Sequence, residues 1–283
     1  MREKELHKGV VAFLDCKDHL VSKEMYEVMR NEELEMLVTS PIPTDIEDYY
    51  ESDKYQSHFN HEISFSNIFY NYIKNISFKR KESIFRDRNK NKSVLDIGAG
   101  NGAFLHFCKK KKYQVFGVEP NEKARRIARR KGVILENSIE KVTSQQYDVI
   151  TMWHSLEHVI NLLECLDYLK KMLKKEGKLI IAAPNFKSYD AEYYKEYWAA
   201  FDVPRHLWHF SQRSIHNLFE PLDMKVTNVY PLKYDAFYVS LLSEKYKTGK
   251  KNYFKAFKVG LQSNLKAMKT KEYSSLIYEI QHV

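Results

Sequence analysis

The apolar positions of this chain change their period along its length, and that change divides it. From Ser93 the pattern is regular. Val94-Leu95-Asp96-Ile97 is a short apolar run ending in glycines, which predicts a buried strand. Val115–Glu119, Val133–Leu135, Tyr147–Trp153 and Lys178–Ala182 read as further strands. Ala103–Lys111, Glu122–Lys131 and Leu162–Lys175 read as helices, the last two stopped by Gly132 and Gly177. Ser211 stands where it would cap a helix running to Phe219. Met224–Val229 and Ser274–Ile280 are predicted as a sixth and a seventh strand, and the stretch between them, about 233–271, reads as helical and aromatic. Strands alternating with helices predict an α/β fold, a doubly wound and mostly parallel sheet covered on both faces.

Before Ser93 the pattern is irregular. Residues 1–62 are expected to form a small N-terminal appendage, and 63–283 the main domain with the helical insertion at about 233–271. Met25–Leu37 fits helical and strand spacing equally, until Pro41 and Pro43 break it. Asp45–Tyr55 is acidic and tyrosine-rich. Ile63, Phe65, Ile68, Phe69, Tyr72, Ile73 and Ile76 recur at helical intervals and predict a helix packed on the main domain.

Charge sharpens this division. The net charge is +9, yet residues 1–62 carry 7 Lys/Arg against 15 Asp/Glu, and residues 79–131 carry 17 against 5. The basic block flanks strand starts and helix ends, at the amino-terminal edge of the predicted sheet. A solvated face, a contact face for the acidic appendage and a nucleic-acid surface all remain open; the last is disfavoured because the predicted site lies at the opposite edge. No apolar run approaches the roughly 18 residues that span a bilayer, and Val10–Leu14 is too short and too flanked by charge for a signal peptide. Cys16, Cys108 and Cys165 form no paired framework. A cytoplasmic chain without a membrane span is expected; its oligomeric state is not addressed by these features.

The candidate chemistry centres on Asp96-Ile97-Gly98-Ala99-Gly100-Asn101-Gly102. A strand that turns sharply into a helix under a closely approaching ligand needs glycine, which tolerates positive φ and has no Cβ. Glu119 ends the next strand, where a carboxylate can accept hydrogen bonds from a ribose diol; a plain surface acid is the alternative. Asp96, inside the strand end, would oppose a pyrophosphate and favour a cation. That charge argues for S-adenosylmethionine, which carries an ammonium and a sulfonium, over a dinucleotide.

With Gly-Val-Glu-Pro-Asn (117–121), Tyr-Asp-Val-Ile (147–150), Leu-Glu-His-Val (156–159) and Gly-Lys-Leu-Ile-Ile (177–181) following in order, residues 93–232 resemble the class I S-adenosylmethionine-dependent methyltransferases. The resemblance implies a seven-stranded sheet of order 3-2-1-4-5-7-6, its last strand antiparallel. It also implies that Asp96, Gly98 and Gly100 line the cofactor's amino-acid end, that Glu119 holds the ribose, and that Ser138 and Ile139 lie beside adenine. Ser138 stands where the family usually has an acid. Ala99, Pro120, Trp153 and His154 complete the expected cofactor contacts. Pro184-Asn185, Trp198, Asp202, Pro204-Arg205-His206-Leu207 and His209-Phe210-Ser211 further resemble a group of bacterial methyltransferases of mostly undefined substrate. Members of that group often begin with two CxxC pairs. Asn31 and Leu34 occupy what would be the second pair, so no structural zinc and no metal site is expected.

Two segments are candidates for acceptor chemistry. His154, Glu157 and His158 share a face if 154–158 turns helical, and general-base, metal-ligand and structural roles are all open. His154 and His158 are the catalytic candidates there. The long stretch 184–210 reads as a loop forming a lid, with Arg205 clamping an anionic acceptor group or else pairing with Asp202, and His206 as a further candidate. The function expected is methyl transfer to a small or mid-sized molecule at oxygen or nitrogen. An RNA methyltransferase and an inactive cofactor-binding module are the alternatives.

Overall fold

The computed structural model describes residues 6–44, 46, 49, 67–86 and 91–283, with side chains of the first helix described from Asn75 onward. The boundary expected between 62 and 63, most of the acidic Asp45–Tyr55 stretch and the start of the helix expected from Ile63 lie outside these residues. That helix, α1, runs over Asn67–Phe85.

The main sheet forms where the sequence is most regular. Ser93–Ile97 (β4) is buried at every position, as expected of a strand covered on both faces. Leu95 and Ile97 enter one core and Val94 the other. Gln114–Val118 (β5) and Tyr147–Trp153 (β6) flank it in parallel, Leu173–Pro184 (β7) adds parallel to β6, and Ser275–His282 (β10) pairs antiparallel with both β7 and Met224–Pro231 (β9). Among the described residues the order is β5-β4-β6-β7-β10-β9, six strands. Val133–Leu135, expected as the third strand in chain order, is not a strand: Glu136 alone bridges Val118, through its N–H to the Gly117 carbonyl and its carbonyl from Glu119 N–H. Ala103–Lys110 (α2), Glu122–Arg130 (α3), Leu162–Met172 (α4) and Gln212–Phe219 (α6) are the helices among these strands. Ser211 caps α6 by accepting the Ser214 N–H, as its position predicts. Leu173–Lys175, expected to prolong α4, instead open β7, with Tyr147 paired to Leu173.

The N-terminal residues form strands, settling the ambiguity of Met25–Leu37. Val11–Lys17 (β1), Met25–Asn31 (β2) and Met36–Ser40 (β3) make an antiparallel meander, and Trp208–His209 (β8) completes it as a fourth strand. At Asn31 and Leu34, the hairpin is held by a side-chain turn: Asn31 accepts the Leu34 N–H and donates to the Leu6 carbonyl.

The stretch 184–210 departs most from expectation. It is no open loop. It holds a short helix, Tyr189–Tyr194 (α5), two 3₁₀ turns and β8. Tyr194, Trp198, Phe201, Val203, Leu207, Trp208 and Phe210 are all buried. It packs between β1–β3 and the insertion helices Asp235–Thr248 (α7) and Tyr253–Thr270 (α8). The stretch expected as a lid is therefore largely core. Lys109 and Lys110 close α2, and Arg129 and Arg130 close α3, where the helix dipole favours cations.

Candidate active site

The glycine turn leaves β4 at its carboxyl end. Gly98, Gly100 and Gly102 all have positive φ, at 74°, 53° and 66°. Their surroundings differ. A Cβ on Gly98 would stand 2.6 Å from Ser155 Cβ, and one on Gly102 2.8 Å from Ala128 Cβ, so both are also required by packing. A Cβ on Gly100 would meet nothing within 4 Å. Packing does not explain Gly100; the space beside it is where a ligand can approach the backbone. The Gly100 N–H donates to Glu119 Oε2 at 2.7 Å, and Asn121 N–H donates to Oε1 at 2.9 Å. Glu119, at the mouth of β5, thus ties the turn to the neighbouring strand and keeps lone pairs for a diol.

Asp96 is buried beneath this turn and accepts a 2.6 Å hydrogen bond from Thr151 Oγ1. Burial drives its pKa from 3.8 up to about 7, against the opposing pull of Thr151 and the Lys81 ammonium, with Glu119 adding to the rise. A carboxylate so placed gains from an arriving cation. Lys81, from α1, lies 4.2 Å over the Trp153 ring, and burial lowers its pKa while Asp96 and Asp235 raise it. Trp153 also meets Phe104 edge-on, so its ring is largely wall. Ser138 precedes a 3₁₀ turn opened by Ile139, both half-buried at the edge beyond β5. Ala99 is half-buried and Pro120 exposed.

After β6 the chain turns at His154, whose φ is 53°. Its ring lies between two carboxylates, Nδ1 3.5 Å from Glu157 and Nε2 3.2 Å from Asp235. Burial disfavours the charged ring, but the neighbouring carboxylates of Asp235 and Glu157 outweigh it and raise the pKa to about 10. His154 is therefore a cation at neutral pH and has no lone pair to serve as a base. Glu157 is held ionised: burial opposes this, while His154, His206 and His158 pull its pKa down to about 2. His158 moves the other way, to about 4, by burial and by the neighbouring His206. The segment 156–158 is a single 3₁₀ turn, so the shared helical face expected for 154–158 does not form.

Arg205 and His206 lie in the packed stretch. The Arg205 guanidinium donates to Asp202 at 2.6 Å and Asp18 at 3.1 Å, with its side chain 1% exposed. Of its two open readings, pairing is what the geometry displays. Asp18 also accepts the N–H groups of Leu20, Val21 and Ser22, so this ion pair locks the β1–β2 turn to 202–205. His206 donates through Nδ1 to the Ala200 carbonyl at 2.8 Å. His209 Nε2 meets Thr39 Oγ1 at 3.0 Å across β3–β8. Sequence reasoning did not single out Lys81, Thr151, Ser155 or Asp235. Each acts on a partner more than 50 residues away, Lys81 on Trp153, Thr151 on Asp96, Asp235 on His154, and Ser155 on Ile97, to whose carbonyl its Oγ donates while it wedges against Gly98; no local motif marks them.

A doubly wound sheet with a glycine turn at its first carboxyl edge, an acid closing the next strand and a buried carboxylate below defines an enzyme that binds a cationic nucleoside cofactor. Comparison with known proteins specifies it. Residues 59–229 match the methyltransferase-domain family, and the chain belongs to the class I S-adenosylmethionine-dependent methyltransferases, with S-adenosylmethionine as its methyl donor. It is 32% identical over 110 residues to an uncharacterized methyltransferase of Alkaliphilus oremlandii, covering 36% of this chain and 50% of that protein. It is 31% identical over 108 residues to a ubiquinone biosynthesis O-methyltransferase of Actinobacillus pleuropneumoniae, covering 33% and 46%. The chain thus spans about half the length of the curated relatives it matches. A geranyl diphosphate C-methyltransferase of Streptomyces coelicolor shares the fold, with TM-score 0.52, 11% identity and coverage of 87% of this chain and 92% of that one. No helix among the described residues is long and apolar enough to cross a membrane.

Proposed function

We propose that this enzyme methylates an oxygen or nitrogen of a small or mid-sized acceptor, and that the donor lies over Gly98–Gly100 with its ammonium toward Asp96 and its ribose on Glu119. The observation that carries the donor pose is the contrast among the three glycines: Gly100 alone faces open space while its N–H is held by Glu119. Methyl transfer is an in-line displacement on a sulfonium that is already a good leaving group, so positioning supplies much of the rate. His154, fixed as a cation by Asp235 and Glu157, orients the entry side rather than abstracting a proton. Asp235 brings α7 to the site, and the half-exposed Tyr238 and exposed Tyr234 beside it offer apolar contact to an acceptor. Basic residues at the ends of α2 and α3 lie at the opposite edge of the sheet, which favours a small acceptor over RNA. Calorimetry should give micromolar binding of S-adenosylmethionine or its demethylated product, roughly −8 kcal/mol. Binding of NAD in its place would refute the pose. Methyl-³H transfer to a metabolite extract but not to total RNA is the expected acceptor result; the reverse would reinstate RNA.

A further inference from the structure

Outside the donor site, the least explained group is the Glu157 carboxylate. Its side chain is 1% exposed, and neither oxygen has a hydrogen-bond partner among the described residues. The His154 ring nitrogen stands 3.5 Å from Oε1, at the outer limit of an ion pair's useful hydrogen bonding. The His154 cation balances part of its charge, yet a buried carboxylate with neither oxygen hydrogen-bonded is costly and needs a reason.

Two imidazoles face it. His158 and His206 pack edge to face with ring centroids 4.6 Å apart. One ligand atom from each of Glu157, His158 and His206 lies within 4.8 Å of the others. The ring orientations are fixed by backbone carbonyls. His158 Nδ1 is 3.0 Å from the Arg205 carbonyl oxygen, and His206 Nδ1 is 2.8 Å from that of Ala200. A carbonyl only accepts, so both Nδ1 atoms carry the proton, and the neutral ring's lone pair is on Nε2. Donation of the far N–H to a carbonyl is how protein structures orient metal-bound imidazoles and raise their basicity.

We propose that Glu157, His158 and His206 bind a divalent first-row transition metal, zinc foremost, through the carboxylate and the two Nε2 atoms. Two imidazole nitrogens and one carboxylate suit zinc or its neighbours in the series better than magnesium or calcium, which prefer all-oxygen sites. No cysteine takes part, so the missing CxxC pairs do not bear on it. His154, which adjacency in sequence groups with Glu157 and His158, is outside the set because Asp235 holds its Nε2. The ligands come from two segments, the 156–158 turn and the packed stretch 184–210, already joined where Leu207 N–H donates to the Glu157 carbonyl at 2.8 Å. A metal there would rivet that stretch to the carboxyl edge of the sheet, and three protein ligands leave a fourth position for water or an acceptor oxygen. The competing occupant is a proton in place of the metal.

The test uses the full chain, stripped by chelator, dialysed and shown to be folded, then titrated with Zn²⁺ and Co²⁺. Binding at one metal per chain, visible Co²⁺ ligand-field bands and a melting temperature raised by several degrees with zinc are expected. X-ray absorption of the zinc form should give two imidazole nitrogens at about 2.0–2.1 Å. E157Q and H206Q should weaken binding by about 100-fold or more, a ligand's loss exceeding the 10–100-fold of a supporting contact. H154Q should not weaken it, since it removes a cation beside the site and no ligand. If H206Q fails to fold, the absorption spectrum of the wild type decides alone. Absence of saturable binding to the folded stripped protein overturns the proposal, as does undiminished binding by E157Q. A melting temperature that follows pH but not metal assigns the site to the proton.

Discussion

Replacing Asp96 by Asn should move two measurements in opposite directions. Asn preserves the size of the side chain and the oxygen that accepts from Thr151, so what is removed is the charge. In the cofactor-free protein that charge is a burden. A pKa raised from 3.8 to about 7 means that keeping the ionised form in the folded state costs on the order of 4 kcal/mol. Between about pH 4 and 7 the folded protein holds a proton that the unfolded chain has lost, so stability falls as pH rises through that window and levels above it. D96N should therefore match wild type in melting temperature near pH 4 and exceed it at pH 8. Binding should show the reverse. A buried carboxylate facing the donor's ammonium is worth about 2–5 kcal/mol when its partner is lost, or about 30-fold to several thousandfold in affinity. Wild-type affinity should also fall below pH 7, approaching tenfold per unit, while that of D96N stays nearly level. Denaturant melts of the free protein and calorimetry with the demethylated donor product, each at pH 5.5 and 8, make the comparison. Equal donor affinity for D96N and wild type at pH 8, or a D96N protein less stable than wild type there, would refute the placement of the ammonium at Asp96.

The glycines provide a second contrast: G100V should fold, with a left-handed backbone penalty of roughly 1–2 kcal/mol, and lose donor binding in calorimetry, whereas G98A should lose stability first, because its Cβ would meet Ser155. R205A should destabilise by about 3–5 kcal/mol in denaturant melts, since it strands Asp18 and Asp202, and R205K should not restore the fork geometry; a stable R205A protein with selectively lost turnover would return Arg205 to the acceptor. The His154 ring should titrate near pH 10 by NMR; its contribution to stability is complete below about pH 6.5 and disappears as pH rises through 10, and D235N should bring the titration down. Exchange of amide hydrogens across 186–210 should already be slow in the free protein, because that stretch is core; fast exchange that slows only with acceptor would revive the lid.

What could be read from the sequence was what neighbours decide. The turn from Asp96 to Gly102 is specified by a strand, three glycines and a helix in succession, and the site after β5 by Glu119 at a strand end. The stretch 184–210 was misread for the opposite reason. Its Tyr, Trp, His and Arg residues have no period, because their partners lie elsewhere: Arg205 on Asp18, Trp198 Nε1 on Asp190, Tyr194 on Glu244 in α7. Polar and aromatic side chains buried in mutual pairs resemble a ligand site when the pairs are unseen. Val133–Leu135 failed as a strand because only Val133 and Leu135 turn into the core, Leu135 beneath Gly117, while Ile134 faces solvent and the segment does not extend along β5. Lys81 and Asp235 enter the site from helices on either side of the glycine turn and the strands that follow it, and carry no signature of their own.

The small antiparallel sheet has a consequence for how the chain is made. Its fourth strand, Trp208–His209, pairs with β3, and the Thr39–His209 contact closes a span of 170 residues. At roughly 5–20 residues per second of synthesis, β3 leaves the ribosome some ten to thirty seconds before the strand that covers its edge. Met36, Leu37 and Val38, fully or almost fully buried in the finished protein, meanwhile line an open edge of the kind that recruits other chains. The whole parallel half of the main sheet is synthesised within that interval, so β1–β3 emerge before it and are completed after it. A chain released after residue 190 would present that edge to chaperones, and one released after 215 would carry the strand that closes it.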